Sequence, residues 1–205
     1  MSETPASRTH WIRQADADRL EKSLGRLPRK SRRPAMIVLV GLPGSGKSHL
    51  AREIKHRVPA VILDSDALRQ ALFADPQHTT KEHARLFPAI HVLMVRLLER
   101  GITIIVDATN LREANRRPFY RTAEDHGAKL VLVRVWAPKR VIRQRLAARD
   151  ARASAADRST ATLDVYERML ADAEPIRRRH VSVDTSKDLG PAVDKIIRDL
   201  SASNP

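Results

Sequence analysis

The chain contains no cysteine. That excludes disulfides, thiolate catalysis and cysteine-ligated zinc or iron–sulfur centres. Long apolar runs are missing too, since none approaches the ~20 residues that would span a bilayer. The opening MSETPASRTHWIRQ lacks the apolar core of a secretory signal, so a cytoplasmic location and no membrane partner are expected. Aromatics make up only 3% of residues, too few for a broad base-stacking platform. They are Trp11, Phe73, Phe87, Phe119, Tyr120, Trp136 and Tyr166, and most are expected in the core. Acidic residues are outnumbered, 24 against 38 basic ones, for a net charge of +14. Such a surface attracts polyanions, nucleic acid first among them. The plain alternative is a solvated, arginine-rich exterior.

A length of 205 residues suits one domain with a short extension. Residues 1–35 stand apart. Trp11 to Leu24 is expected as a helix, with Leu20 and Leu24 four apart. The stretch 25-GRLPRKSRRP-34 is expected as a basic linker or a phosphate-contacting arm. The main domain is then 36–205.

From residue 36 onward, strand patterns alternate with helical ones. MIVLV, 60-AVIL-63, 102-ITIIVD-107, 129-KLVLVRVW-136 and 180-HVSVDT-185 are the five candidate strands. Helical patterns separate them, which predicts an α/β fold with a five-stranded parallel sheet between helices. In the helix predicted from Thr79, Thr79 and Glu82 have capping-box spacing. Leu86, Ile90, Leu93, Leu97, Met94 and Leu98 form its apolar stripe. Pro88 is expected to kink it or end a first segment, and Gly101 to stop it.

The strongest chemical signal is 41-GLPGSGKS-48, which matches G-x-x-x-x-G-K-[ST] between an apolar strand and a helix. Gly41, Gly44 and Gly46 let the backbone turn tightly about phosphate oxygens. The N–H groups of Leu42, Pro43's neighbours, Ser45 and the following helix start, with Ser48 and His49, offer partial positive charge. Lys47 is expected on the β and γ phosphates of ATP, and Ser48 on Mg²⁺. Strand three ends in Asp107, suited to the same Mg²⁺ or to capping the next helix. Thr109 and Asn110 then fall at the carboxyl edge of the sheet, where ligands of open α/β folds bind.

A second signal, 61-VILDSDALR-69, places Asp64 and Asp66 after strand two, with Arg69 one turn on. An accepting hydroxyl needs a carboxylate to orient it and take its proton, which Asp66 can do. Arg69 can fix an anionic group of the acceptor. The alternative is that Asp64 or Ser65 caps a short helix and Asp66–Arg69 is a surface ion pair. Further on, a helix starting at Pro138 carries Arg145, Arg149 and Arg152 on one face, with Arg140 and Arg143 opposite. Arginines on a closing lid would neutralise transferring charge. His78, His83 and His91 have no ligating companions and are expected on a helix surface or in an acceptor pocket.

These elements together resemble P-loop kinases of the 5′-polynucleotide kinase type, among the AAA-like and zeta-toxin-like P-loop phosphotransferases. The resemblance spans about residues 36–200 and rests on GLPGSGKS, DSDALR, DATNL followed by Arg116 and Arg117, and an arginine-rich lid. It implies Asp66 as general base toward a 5′-hydroxyl, Arg69 on the acceptor's phosphate, Arg145 and Arg149 as lid arginines, and Thr185–Lys187 near adenine. Similar kinases act on antibiotics, sugars and nucleotide-sugars. The expectation is therefore an ATP- and Mg²⁺-dependent kinase with a polynucleotide 5′-OH acceptor. A small-molecule alcohol is the first alternative and a partner-driven ATP-hydrolysing switch the second.

Overall fold

The structure, a computed structural model, describes residues 5–150 and 163–202. Arg152 and the side chain of Trp11 lie outside the described residues. Five strands form one sheet in the order β2-β3-β1-β4-β5: β1 Ala35–Val40, β2 Ala60–Asp64, β3 Thr103–Asp107, β4 Lys129–Trp136 and β5 Val181–Asp184. Every pairing is parallel. Between and around them run α1 Pro5–Ser23, α2 Lys47–Arg57, α3 Ser65–Leu72, α4 Thr80–Glu99, α5 Glu113–Asp125, α6 Lys139–Asp150, α7 Leu163–Ala171 and α8 Gly190–Ser201. No described helix is long and apolar enough to cross a membrane.

Strand β1 is buried along its whole length, because both faces of the sheet are covered. Its side chains alternate faces. Met36, Val38 and Val40 join one core with residues of α1, α4 and α5. Ile37 and Leu39 join the other with α2 and α8. Strands β1 and β3 are neighbours, with Leu39 opposite Asp107. Their carboxyl ends therefore bring the phosphate-loop sequence beside the strand-three aspartate.

Three features go beyond the sequence-based expectations. Helix α1 packs against α4. Ala17 and Leu20 are fully buried in the core shared with α4. Asp16 accepts from Nε and Nη2 of Arg85, both at 2.7 Å. Asp18 accepts from Arg96 at 2.6 Å, and Glu21 pairs with Arg100. The apolar pattern of α1 is thin, so ion pairs with α4 complete its docking.

The second is α4, one helix that runs through Pro88, so of the two expected outcomes the proline does not end a first segment. A proline inside a helix costs about 3 kcal/mol, whereas each large apolar side chain buried returns about 1.5–3 kcal/mol. Leu86, Ile90, Leu93, Met94, Leu97 and Leu98 are all buried, so continuity wins. The third is the capping box, which is only half made. Thr79 Oγ1 accepts from Glu82 N at 3.2 Å, but the Glu82 carboxylate turns to Gln77 N and Arg69 instead.

Candidate active site

The phosphate loop leaves β1 at Gly41 and enters α2 at Lys47. Gly41 is a matter of close approach. A Cβ there would lie 2.3 Å from the Val135 carbonyl oxygen on β4. Gly46 has φ 90° at the N-cap of α2 and makes no side-chain cap, which leaves the first N–H groups of α2 directed outward.

Four neighbours brace the loop. Gly41 N donates to Thr109 O at 3.1 Å. Asn110, in the left-handed region at φ 49°, donates from Nδ2 to Leu39 O at 2.9 Å. Thr185 Oγ1 donates to Ser45 O at 2.7 Å, and Arg145 donates to Thr185 Oγ1 at 2.8 Å, Thr185 O at 2.7 Å and Gly44 O at 3.3 Å. Thr185 and Arg145 thus join the end of β5 and α6 to the loop.

Around this loop lies a cavity of about 780 Å³. Pro43, Gly44, Gly46, Lys47, Ser48 and His49 line one side, with Asp107 and Thr109 at its base. Arg145 and Arg149 close it from α6. Asp66, Gln77, His78 and Phe87 form the α3–α4 side, and Val165, Arg168, Met169 and Asp172 come from α7. Gly41, Leu42, Ser45 and Asn110 do not line it. Asn110 is 2% exposed, and its amide holds a β1 carbonyl rather than facing an acceptor, which corrects its expected role.

Electrostatics set the loop side. Lys47 Nζ donates to Leu42 O at 3.0 Å. Burial pushes its ammonium below the ordinary value, and Asp107 and Asp66 pull the other way. Burial also pushes the Asp107 carboxyl above its usual range, opposed by a Ser48 hydrogen bond and the Lys47 charge. Asp107 Oδ2 is buried without a hydrogen-bond partner. A buried carboxylate oxygen with no donor is ill-satisfied alone and well suited to a hard cation. Ser48 and Asp107 therefore fit Mg²⁺. Among the described residues, no group of three or more His, Cys, Asp or Glu side chains adds a further metal centre.

The second motif divides its labour. Asp64 is the N-cap of α3, accepting from Asp66 N at 2.9 Å and Ala67 N at 3.3 Å. That leaves Asp66 as the exposed carboxylate facing the cavity. Arg69 forms no ion pair with Asp66. It is 2% exposed, and it donates to Glu82 Oε2 at 3.0 Å and meets His83 Nδ1 at 3.1 Å. Partial burial, then the Arg69 guanidinium, hold His83 below its ordinary pKa.

Sequence reasoning missed two features. One is Glu82, thirteen positions from its arginine and seen only as a cap. The other is Arg116, which is fully buried. It donates to the carbonyls of Asn110 (3.0 Å), Leu111 (2.6 Å), Glu174 (3.3 Å) and Pro175 (2.9 Å). It thereby ties the loop after β3 to the segment after α7.

A parallel sheet in this order, with a glycine-rich loop entering a helix beside an aspartate-ended strand, defines an α/β P-loop nucleotide-binding fold. Residues 36–176 match the AAA domain family, and the chain belongs to that family. No curated protein matches the sequence. Among solved structures, the chain is similar to Kti12 of Chaetomium thermophilum in complex with ADP-AlF3, at 19% identity and TM-score 0.64, over 82% of this chain and 100% of that one. The Mycobacterium tuberculosis APS kinase, in complex with AMPPNP and APS, is 20% identical with TM-score 0.59, over 84% and 100%. A gluconokinase from Sinorhizobium meliloti is 23% identical with TM-score 0.58, over 83% and 94%.

Proposed function

We propose that this protein is a kinase that transfers the γ-phosphate of ATP to a hydroxyl of a small molecule. The observation that carries this reading is one exposed carboxylate, Asp66, facing the same cavity as the Lys47–Ser48 loop. Asp64 is occupied as a cap, so only Asp66 of the pair is free to orient an alcohol and take its proton. Lys47 and the N–H groups of α2 hold the phosphates, and Arg145 and Arg149 meet charge on the transferring group. Mg²⁺ held by Ser48 and Asp107 would neutralise phosphate charge.

A small acceptor is favoured over a polynucleotide by two points. The basic residues Arg29, Lys30, Arg32 and Arg33 precede β1 at its amino end, where Ser31 N donates to Gly101 O at 2.7 Å. The phosphate loop is at the other end of a six-residue strand, about 20 Å away at ~3.3 Å per residue. Those four residues therefore precede the strand at the end away from the phosphate loop, although Arg26 and Pro28 earlier in the segment share a smaller cavity with Asp64. Of the solved relatives, APS kinase and gluconokinase carry names of small-molecule kinases.

The test is label transfer from γ-labelled ATP to a panel of small alcohols and to a 5′-OH oligonucleotide, with wild type and Asp66→Asn. Label on a small alcohol, lowered about 10²–10⁴-fold by the variant with nucleotide affinity kept, is the expected result. Label on the oligonucleotide alone would return the acceptor to nucleic acid. Phosphate release with no labelled acceptor would point to a hydrolysing switch.

A further inference from the structure

We infer that the amino end of the sheet is a docking surface for double-helical nucleic acid: Arg29, Lys30, Arg32 and Arg33 before β1, with Arg178 and Arg179 before β5, form one basic ridge that grips phosphates without reading sequence. The ridge lies at the pole opposite the phosphate loop, so it goes beyond the kinase reading and stands without it.

The sheet sets the ridge in order. Ser31 N donates to Gly101 O at 2.7 Å, which seats Lys30 and Ser31 just before β3. A Cβ on Gly101, whose φ is +77°, would lie 2.9 Å from Ser31 O, so the segment rests directly on that turn. Ser31 Oγ donates to Arg33 O at 3.0 Å and accepts from Arg33 N at 3.2 Å, which fixes the bend around Arg32. On the next strand, Lys129 N donates to Pro34 O at 3.4 Å, with Lys129 opposite Ala35. Arg178 and Arg179 border a cavity of about 430 Å³ with Gly127, Ala128 and Leu130, at the start of β4. From β3 through β1 and β4 to β5 is three strand spacings of ~4.8 Å, so the ridge is about 15 Å long.

Its charge is not answered by the protein. Elsewhere surface cations meet carboxylates, as Arg57 meets Asp194 and Arg112 meets Asp172, both at 2.7 Å. Arg29, Lys30, Arg32, Arg33 and Arg177 are exposed, and none makes an ion pair among the described residues. Arg178 is shared with Glu124 at 2.8 Å, and Arg179 stands 3.5 Å from Asp199 while 88% exposed. Glu99 and Asp125 end α4 and α5 at this pole, and the free cations outnumber them. Helix carboxyl ends also fall here, each equivalent to about half a negative charge, an effect that fades within one turn. Lys55, His56 and Arg57 offset it on α2, and Arg198 on α8. Full charges on side chains beyond those ends therefore win.

The chemistry of the ridge selects its occupant. Guanidinium forks match phosphate oxygens. The ridge segments contain no Phe, Tyr or Trp, and Tyr120 is 3% exposed with the Arg178 guanidinium over its ring, so unpaired bases have nothing to stack on. The exposed large apolar residues of the described chain, Ile12, Trp136, Leu163 and Leu170, all lie outside these segments, so nothing inserts among lipid chains. A duplex carries about one charge per 1.7 Å of axis, so about 15 Å of it offers about nine, of which about four face the ridge.

The probes are labelled DNA and RNA duplexes of about 20 base pairs, the same single strands, and phosphatidylserine vesicles, each titrated with full-length protein. Wild type should bind a duplex with Kd of about 10 μM or tighter at 50 mM KCl, and about 100-fold more weakly at 200 mM, a log–log slope of about −3 to −4. Lys30→Gln/Arg32→Gln/Arg33→Gln should weaken binding at least about tenfold and flatten the slope by about 2. Arg52→Gln/Arg140→Gln/Lys195→Gln removes the same charge from exposed positions off the ridge and should cost less than about threefold. Saturating Mg²⁺ and the non-hydrolysable ATP analogue AMPPNP should leave duplex affinity unchanged. Equal losses in the two variants, a wild-type slope shallower than about −1, or tighter binding to single strands or vesicles would overturn the inference. So would competition by AMPPNP, which would move the polyanion into the cavity. The wild-type slope and that competition decide the matter if the ridge variant does not fold.

Discussion

Replacing Arg116 with methionine should be among the most destabilising single changes in this chain. Methionine fills much of the same volume, so the loss is one of hydrogen bonds rather than of packing. Four carbonyls lose their donor, and Glu113 loses the Nε partner at 3.1 Å. Bonds to a charged donor are worth about 1.5–3 kcal/mol each, but they share one side chain and do not add. Water can also reach part of the Glu174–Pro175 segment, both residues being exposed. Breaking a buried charged cluster typically costs about 3–5 kcal/mol, and that is the expected loss. With a urea slope of about 2 kcal/mol/M, the unfolding midpoint falls by about 1.5–2.5 M. The local signature is as telling. Glu174 N donates to Leu111 O at 3.0 Å and Glu113 N to Glu174 Oε2 at 2.7 Å, so both amides should exchange faster in the variant. A loss below about 1 kcal/mol, or unchanged exchange at both amides, would refute the claim that Arg116 holds this junction.

Gly41→Ala should abolish nucleotide binding in a calorimetric titration, because its Cβ would sit 2.3 Å from a β4 backbone oxygen that cannot yield. Thr185→Val keeps the shape but removes the hydroxyl linking Ser45 O and Arg145. It should lower stability by about 1–3 kcal/mol and weaken ATP more than the acceptor, as separate KM measurements would reveal. Glu82 has a depressed pKa when folded, so its contribution is complete above its ordinary value of 4.5 and is lost as pH falls through the folded value. Denaturant midpoints between pH 6 and 3 should therefore fall less steeply in Glu82→Gln than in wild type.

The parallel sheet and the phosphate loop were legible in the sequence because their causes are local. A buried apolar strand, three glycines, a lysine and a helix start are contiguous in the chain. Asp107 followed from its place at a strand end. The roles of Asp64 and Asp66 were separable only by geometry, since either could cap α3 until the Asp66 N to Asp64 bond is seen. The partners of Arg69 were not legible, because Glu82 and His83 belong to another helix. Asn110 sat at the expected edge but with its amide turned inward to the Leu39 carbonyl. The docking of α1 was hidden for a similar reason. Its partners Arg85, Arg96 and Arg100 are 69 to 79 residues away in sequence, and no periodicity within residues 5–23 announces them.

That docking bears on how the cavity can change shape. Helix α4 is clamped on one flank by α1, through the ion pairs of three arginines, and on the other by the sheet. Asp66 stands on α3, which packs against both α1 and α4, so this docking braces the carboxylate side of the cavity. Across from it, Arg116 holds the segment after α7 against the loop after β3.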